Sequence, residues 1–123
     1  MPRPIHFEIP AENPERLMAF YQTVLGWTFQ KWEGGGMPYW MITTGPDSEP
    51  GINGGLMPRQ NAQQPCVNTV AVANLDETLA AAVANGAQVA LPRMAVPGVG
   101  WLAYILDPEG HLLGMMQMDS AAK

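Results

Sequence analysis

With 123 residues, 47% of them apolar and only 14% charged, the chain can bury one sizeable core and offers few groups for ionic recognition. Six Lys and Arg against eleven Asp and Glu, a net charge of −5, supply no basic stripe to displace phosphate counterions, so no nucleic-acid partner is expected. No stretch approaches the roughly 18 continuous apolar residues of a membrane span. The single cysteine, Cys66, excludes an internal disulfide and a cysteine metal site.

So few charges leave much neutral surface, which favours a homodimer. The N-terminal MPRPIHFEIP lacks the apolar run of a secretory leader, and a soluble cytoplasmic protein with no membrane partner is the expectation. Within it, Ile5 to Ile9 reads as a strand. A helix follows, with Asn13 as N-cap, Pro14 at the first helical position and Gly26 as the left-handed terminator. Leu17, Phe20, Tyr21, Val24 and Leu25 recur at helical spacing and predict one apolar face. Strands are then predicted at Trp27 to Trp32, Tyr39 to Thr44 and Ile52 to Met57.

The same order returns about sixty residues later. Val67 to Val72 reads as a strand, and Asn74 with Glu77 resembles a capping box. Leu79, Ala82 and Val83 supply an apolar face and Gly86 closes the helix. Strands follow at Gln88 to Leu91, Trp101 to Leu106 and Leu112 to Met118. The repeat also decides the stretch GINGGLMP, Gly51 to Pro58. Its Asn53-Gly54 pair could make a hairpin, and its glycines could cradle a phosphate. It lacks GK[ST] and a following helix, however, and it lies over Gly110 to Met116, so that Gly55 meets Gly114 and Met57 meets Met116. The partner stretch is plainly a strand, and GINGGLMP is read as one too.

On the segments IHFEIPAENPERLMAFYQTVLGW, VNTVAVANLDETLAAAVANGA and DPEGHLLGMMQ the chain resembles the vicinal oxygen chelate superfamily, which includes glyoxalases, bleomycin resistance proteins and ring-cleaving dioxygenases. The resemblance implies an α+β fold of two βαβββ modules, about 4–58 and 66–118, within one domain spanning 1–123. Their curved mixed sheets would form a cup with helices outside. Enzymes of the superfamily hold a divalent metal there, and the resemblance puts the ligand positions at His6, Gly55, Asn68 and Gly114. Only His6 is a normal ligand; a catalytic centre needs about three. No metal and no cofactor is therefore expected.

Site residues follow from strand alternation. His6 and Glu8 share a face, opposite Phe7 and Ile9, and could act as an acid–base pair or as a polar pair at the cup rim. Asn53 and Asn68 could orient a ligand by amide hydrogen bonds, and Met57 and Met116 could wall a pocket for a planar molecule. Of the adjacent Tyr39 and Trp40 one must face inward, and Trp101, after the lip Pro97-Gly98-Val99-Gly100, is the aromatic favoured for the pocket. The leading expectation is a small, partly apolar organic ligand bound in a metal-free cup. A glyoxalase-related enzyme, using His6 and Glu8 or a non-standard metal site, and an accessory structural dimer are the alternatives.

Overall fold

The first helix, α1 (Pro14–Leu25), starts where expected because the Asn13 side chain accepts the Arg16 N–H at 3.1 Å. It ends at Gly26, whose φ of 73° lets its N–H turn back to the Gln22 carbonyl at 3.0 Å. The structure, a computed structural model, describes residues 2–34 and 36–123. It divides into two compact units, His6–Cys66 and Val67–Lys123, the latter joined by the residues before His6.

In the first unit α1 lies between β1 (Pro4–Ala11) and β2 (Thr28–Lys31), and β3 (Trp40–Thr43) and β4 (Asn53–Pro58) follow. The order is β2-β3-β4-β1, with β1 parallel to β4 and the other pairs antiparallel. GINGGLMP is thus a strand, as its repeat partner implied. Alternation sends Phe7, Ile9, Ile42 and Leu56 to one face, where Ile42, Leu56 and Ala11 are buried beneath Leu17 and Met18 of the helix. Trp27 joins this core between the rings of Tyr21, stacked at 4.9 Å, and Phe7 at 5.7 Å. The helix uses less of its apolar face than its spacing predicts. Phe20, Val24 and Leu25 remain 55%, 59% and 53% exposed.

The second unit repeats the plan with β5 (Val67–Ala71), α2 (Leu75–Ala84), β6 (Gln88–Val96), β7 (Gly100–Leu106) and β8 (Leu112–Met118), in the order β5-β8-β7-β6. Asn74 caps α2 by accepting the Glu77 N–H at 3.0 Å. The core is Val72, Leu75, Ala103, Ile105 and Met115, with Leu79 and Ala82 packed against it. β6 runs further than the predicted Gln88 to Leu91. Its pairing with β7 shifts register between Val89 and Leu91 and again between Leu91 and Met94, which accommodates Pro92 without a ladder N–H. Two βαβββ modules and an α+β fold are the outcome.

Candidate functional site

On the face of the first module turned away from α1, the registers place His6 opposite Asn53, Glu8 opposite Gly55, and Pro10 opposite Met57. Met41 lies opposite Gly55 on its other side. Gly55 is the centre of this face. A Cβ built there would overlap the hydroxyl and Cζ of Tyr39. The phenol fills the room that the absent side chain leaves. Trp40, the next residue, points to the core instead, as alternation requires.

Two more contacts hold Tyr39. Its carbonyl accepts the Trp32 N–H at 2.8 Å, closing the intervening loop, and its ring meets the Trp32 ring edge-on at 5.8 Å. Seated this way, the Tyr39 hydroxyl donates to Glu8 Oε2 at 3.0 Å and lies 2.8 Å from His6 Nε2. Because the phenolic proton goes to Glu8, Nε2 must carry a proton to complete the bond, and Nδ1 is left as the acceptor of the ring. Burial holds the His6 imidazole below the ordinary histidine range, while the Glu8 charge pulls the other way. His6 is accordingly a neutral imidazole near neutrality.

Sequence reasoning placed His6, Glu8 and Met57 on this face, and the structure brings them there with Tyr39. Asn53 lies on it too, but its Oδ1 accepts the Thr44 N–H at 2.9 Å and the Thr44 hydroxyl at 3.2 Å, so it ties β4 to the loop after β3. In the second module Met116 lies on the face away from α2, with Gly114 and Tyr104, as the pairings of Tyr104 with Gly114 and Leu102 with Met116 require. Asn68 and Trp101 do not. Asn68 pairs with Leu113 and shares a face with Val70, and both Leu113 and Val70 pack on the core under α2. Trp101 packs on the same core, donates from Nε1 to Asp119 Oδ2 at 3.1 Å, and carries the Arg93 guanidinium 4.4 Å above its ring. Its expected pocket position is corrected by one step of strand alternation: Trp101 has the parity of the core residues Ala103 and Ile105.

The residue that alternation alone could not supply was Tyr39 as a hydrogen-bonding group, since its hydroxyl reaches the site across β4. The available signal was the missing side chain at Gly55. Gly114 repeats the device, for a Cβ there would stand 2.6 Å from Thr69 Oγ1 and 3.1 Å from Tyr104 Cε1. In each module a hydroxyl-bearing side chain crowds the glycine.

The donor set does not fit the divalent metal of the superfamily. Gly55 and Gly114 provide no ligand atoms, Asn68 is turned to the core face, and His6 Nε2 is committed to Tyr39. Among the described residues no group of three or more His, Cys, Asp and Glu could hold a metal ion. No described helix is long and apolar enough to cross a membrane.

The family profile for a glyoxalase-like domain matches residues 6–115. CFP32 of Mycobacterium tuberculosis and of Mycobacterium bovis, provisionally named a glyoxylase, is 31% identical over 113 residues, covering 89% of this chain and 42% of the relative. The chain thus spans less than half the length of the curated relatives it matches. Methylmalonyl-CoA epimerase from Mycobacterium tuberculosis superposes with a TM-score of 0.68 at 13% identity, over 94% of this chain and 87% of the epimerase. The Mn(II)-bound glyoxalase from Novosphingobium aromaticivorans gives 0.60 at 18% identity, over 98% of this chain and 39% of its own. At such identities these structures share the fold.

Proposed function

The chain belongs to the glyoxalase-like family of the vicinal oxygen chelate superfamily, and from that premise we propose that it binds a small, partly apolar organic molecule without the divalent metal of the superfamily. The observation that carries this reading is the Tyr39 hydroxyl in the space of the Gly55 side chain, bonded to His6 and Glu8. It sets a polar group amid Met41 and Met57, whose flexible thioethers suit a flat or variable apolar body. The ligand therefore combines such a body with one oxygen or nitrogen that hydrogen-bonds to the polar group. A thermal-shift screen of aromatic and carbonyl-containing metabolites tests this. A saturable hit weakened by Tyr39→Phe is expected; no hit across a broad panel would sink the reading.

Acid–base catalysis is the second reading, supported by the chain of bonds from His6 through Tyr39 to Glu8. In it His6 Nδ1 takes a proton from the bound ligand, the Nε2 proton passes to Tyr39 Oη, and the phenolic proton passes to Glu8 Oε2. The products are a ligand anion, the other neutral tautomer of His6, a neutral Glu8 carboxyl and an unchanged phenol. No buried imidazolium forms, which matches the cost that burial places on that cation. The names of the relatives, a glyoxylase and an epimerase, fit a carbonyl compound with an acidic C–H as the substrate. Solvent-deuterium incorporation into such compounds, abolished by Tyr39→Phe, is the expected result.

A cytoplasmic homodimer is proposed as the working state. The exposed lone Cys66 fits a reducing compartment, and the apolar side chains left bare on α1 fit association with a second copy.

A further inference from the structure

We infer that Gly55 and Tyr39 form an exchange pair, in which the lack of a side chain at position 55 admits a phenol that closes His6 and Glu8 to divalent cations. The inference rests on the metal-free reading above and deepens it, by naming the group that does the excluding.

Three properties of the pair act together. The Tyr39 hydroxyl and Cζ occupy the volume from which a carboxylate at position 55 would project. The hydroxyl also engages one oxygen of Glu8, at 3.0 Å. Finally, it fixes the proton of His6. With the phenolic hydrogen directed at Glu8, the imidazole must present Nε2–H to Oη at 2.8 Å, and a protonated nitrogen has no lone pair to give a metal. Loss of a carboxylate alone would weaken a metal site but leave an imidazole and a neighbouring carboxylate open to adventitious cations. The seated phenol engages His6 Nε2 and one oxygen of Glu8 at once and puts a neutral hydrogen-bonding group between them.

The pair is reversible by design of the strands. Truncating Tyr39 takes its hydroxyl away from His6 Nε2 and Glu8 Oε2, and a carboxylate at position 55 would project from the residue directly opposite Glu8. His6, Glu8 and that carboxylate make the about three protein donors of an open metal site.

Isothermal titration of the chelator-stripped full chain with Ni²⁺ tests the inference, with far-UV circular dichroism as the check of folding. The wild-type chain should show no stoichiometric site. The double variant Tyr39→Ala/Gly55→Glu should take up one equivalent, at least about tenfold tighter than any wild-type binding, and lose it on further replacement of His6 by Ala. A folded double variant with wild-type affinity overturns the inference and leaves the metal-free reading intact. Wild-type uptake of one equivalent through His6 overturns both. Should the double variant fail to fold, Tyr39→Ala alone decides: its Ni²⁺ affinity should rise at least several-fold over that of the wild-type chain, and an unchanged affinity overturns the inference.

Discussion

A side chain at position 55 and the phenol of Tyr39 compete for one volume: a Cβ on Gly55 would overlap both the Tyr39 hydroxyl and Cζ. Gly55→Ala should therefore force Tyr39 from its seat and cost about 1–3 kcal/mol, the usual range for overpacking. Because Cζ is part of the clash, Tyr39→Phe should not rescue the variant, whereas Tyr39→Ala should. Urea unfolding of the four members of the Gly55→Ala and Tyr39→Ala cycle measures the coupling. An interaction energy below about 0.5 kcal/mol would show that the two positions are independent.

The pH dependence of stability should carry the mark of His6. Burial depresses its pKa in the folded chain, so from about 6.5, the ordinary value, down to the depressed one the unfolded chain binds the extra proton. Stability is thus fully present above about pH 6.5 and declines as the pH falls below it. Asp107 and Asp119 contribute an acid loss of their own. Backbone N–H donors, chiefly from His111 and Ala121 respectively, hold both carboxyls below the usual range, so their contribution is lost only below about pH 4. Unfolding free energies between those limits should slope upward with pH in the wild type and flatten in His6→Gln; an unchanged slope in the variant would remove His6 as the cause.

Tyr39→Phe keeps the ring against Trp32 and deletes only the hydroxyl. His6 Nε2–H then loses its acceptor and Glu8 Oε2 loses a donor, at a cost of about 1–2 kcal/mol. Nitrogen-15 spectra of the His6 ring report the same change. A dominant Nε2–H tautomer is expected in the wild type and a shifted tautomer balance in the variant. Identical spectra would mean that the hydroxyl does not set the proton position.

The architecture was legible because each level of the sequence repeats: cap, helix, glycine terminator and three strands occur twice, and a local ambiguity in one copy is settled by the other. Gly51 to Pro58 alone favours a hairpin, and only Gly110 to Met116 makes it a strand. The face of each residue was harder to read. Asn68 was matched to His6, yet Thr69 opposite Gly114 corresponds to Glu8 opposite Gly55, so Asn68 takes the place of Phe7. A slip of one residue reverses every side chain on a strand. Tyr39 illustrates a different limit. Alternation assigns a face to a strand residue, but a long side chain entering from the residue before β3 and crossing to β1 follows no period.

Trp101 should behave as a core residue. Its packing with Ala103 and Ile105, the bond to Asp119 and the Arg93 guanidinium above it predict that Trp101→Ala costs on the order of 3 kcal/mol. Arg93→Ala should cost no more than about 1 kcal/mol, since Arg93 and its partner Asp76, 2.7 Å away, are both substantially exposed. Neither change should alter the affinity of a ligand found in the screen, provided measurements are made well below the melting temperature. A loss of affinity in folded Trp101→Ala would return this side chain to the binding surface.

The last prediction concerns α1. Phe20 and Val24 lie one turn apart, and each is more than half exposed although Leu17 and Met18 of the same helix pack on the core. Charging them should change the stability of an isolated chain by no more than about 0.5 kcal/mol, because neither supports the core. In a homodimer formed through this face, however, Phe20→Glu with Val24→Glu would place like charges on both sides of the contact and desolvate them there. Sedimentation velocity should accordingly find a dimer for the wild type and a folded monomer for the double variant. A variant that stays dimeric locates the contact elsewhere, and a monomeric wild type removes association as the reason these side chains are bare.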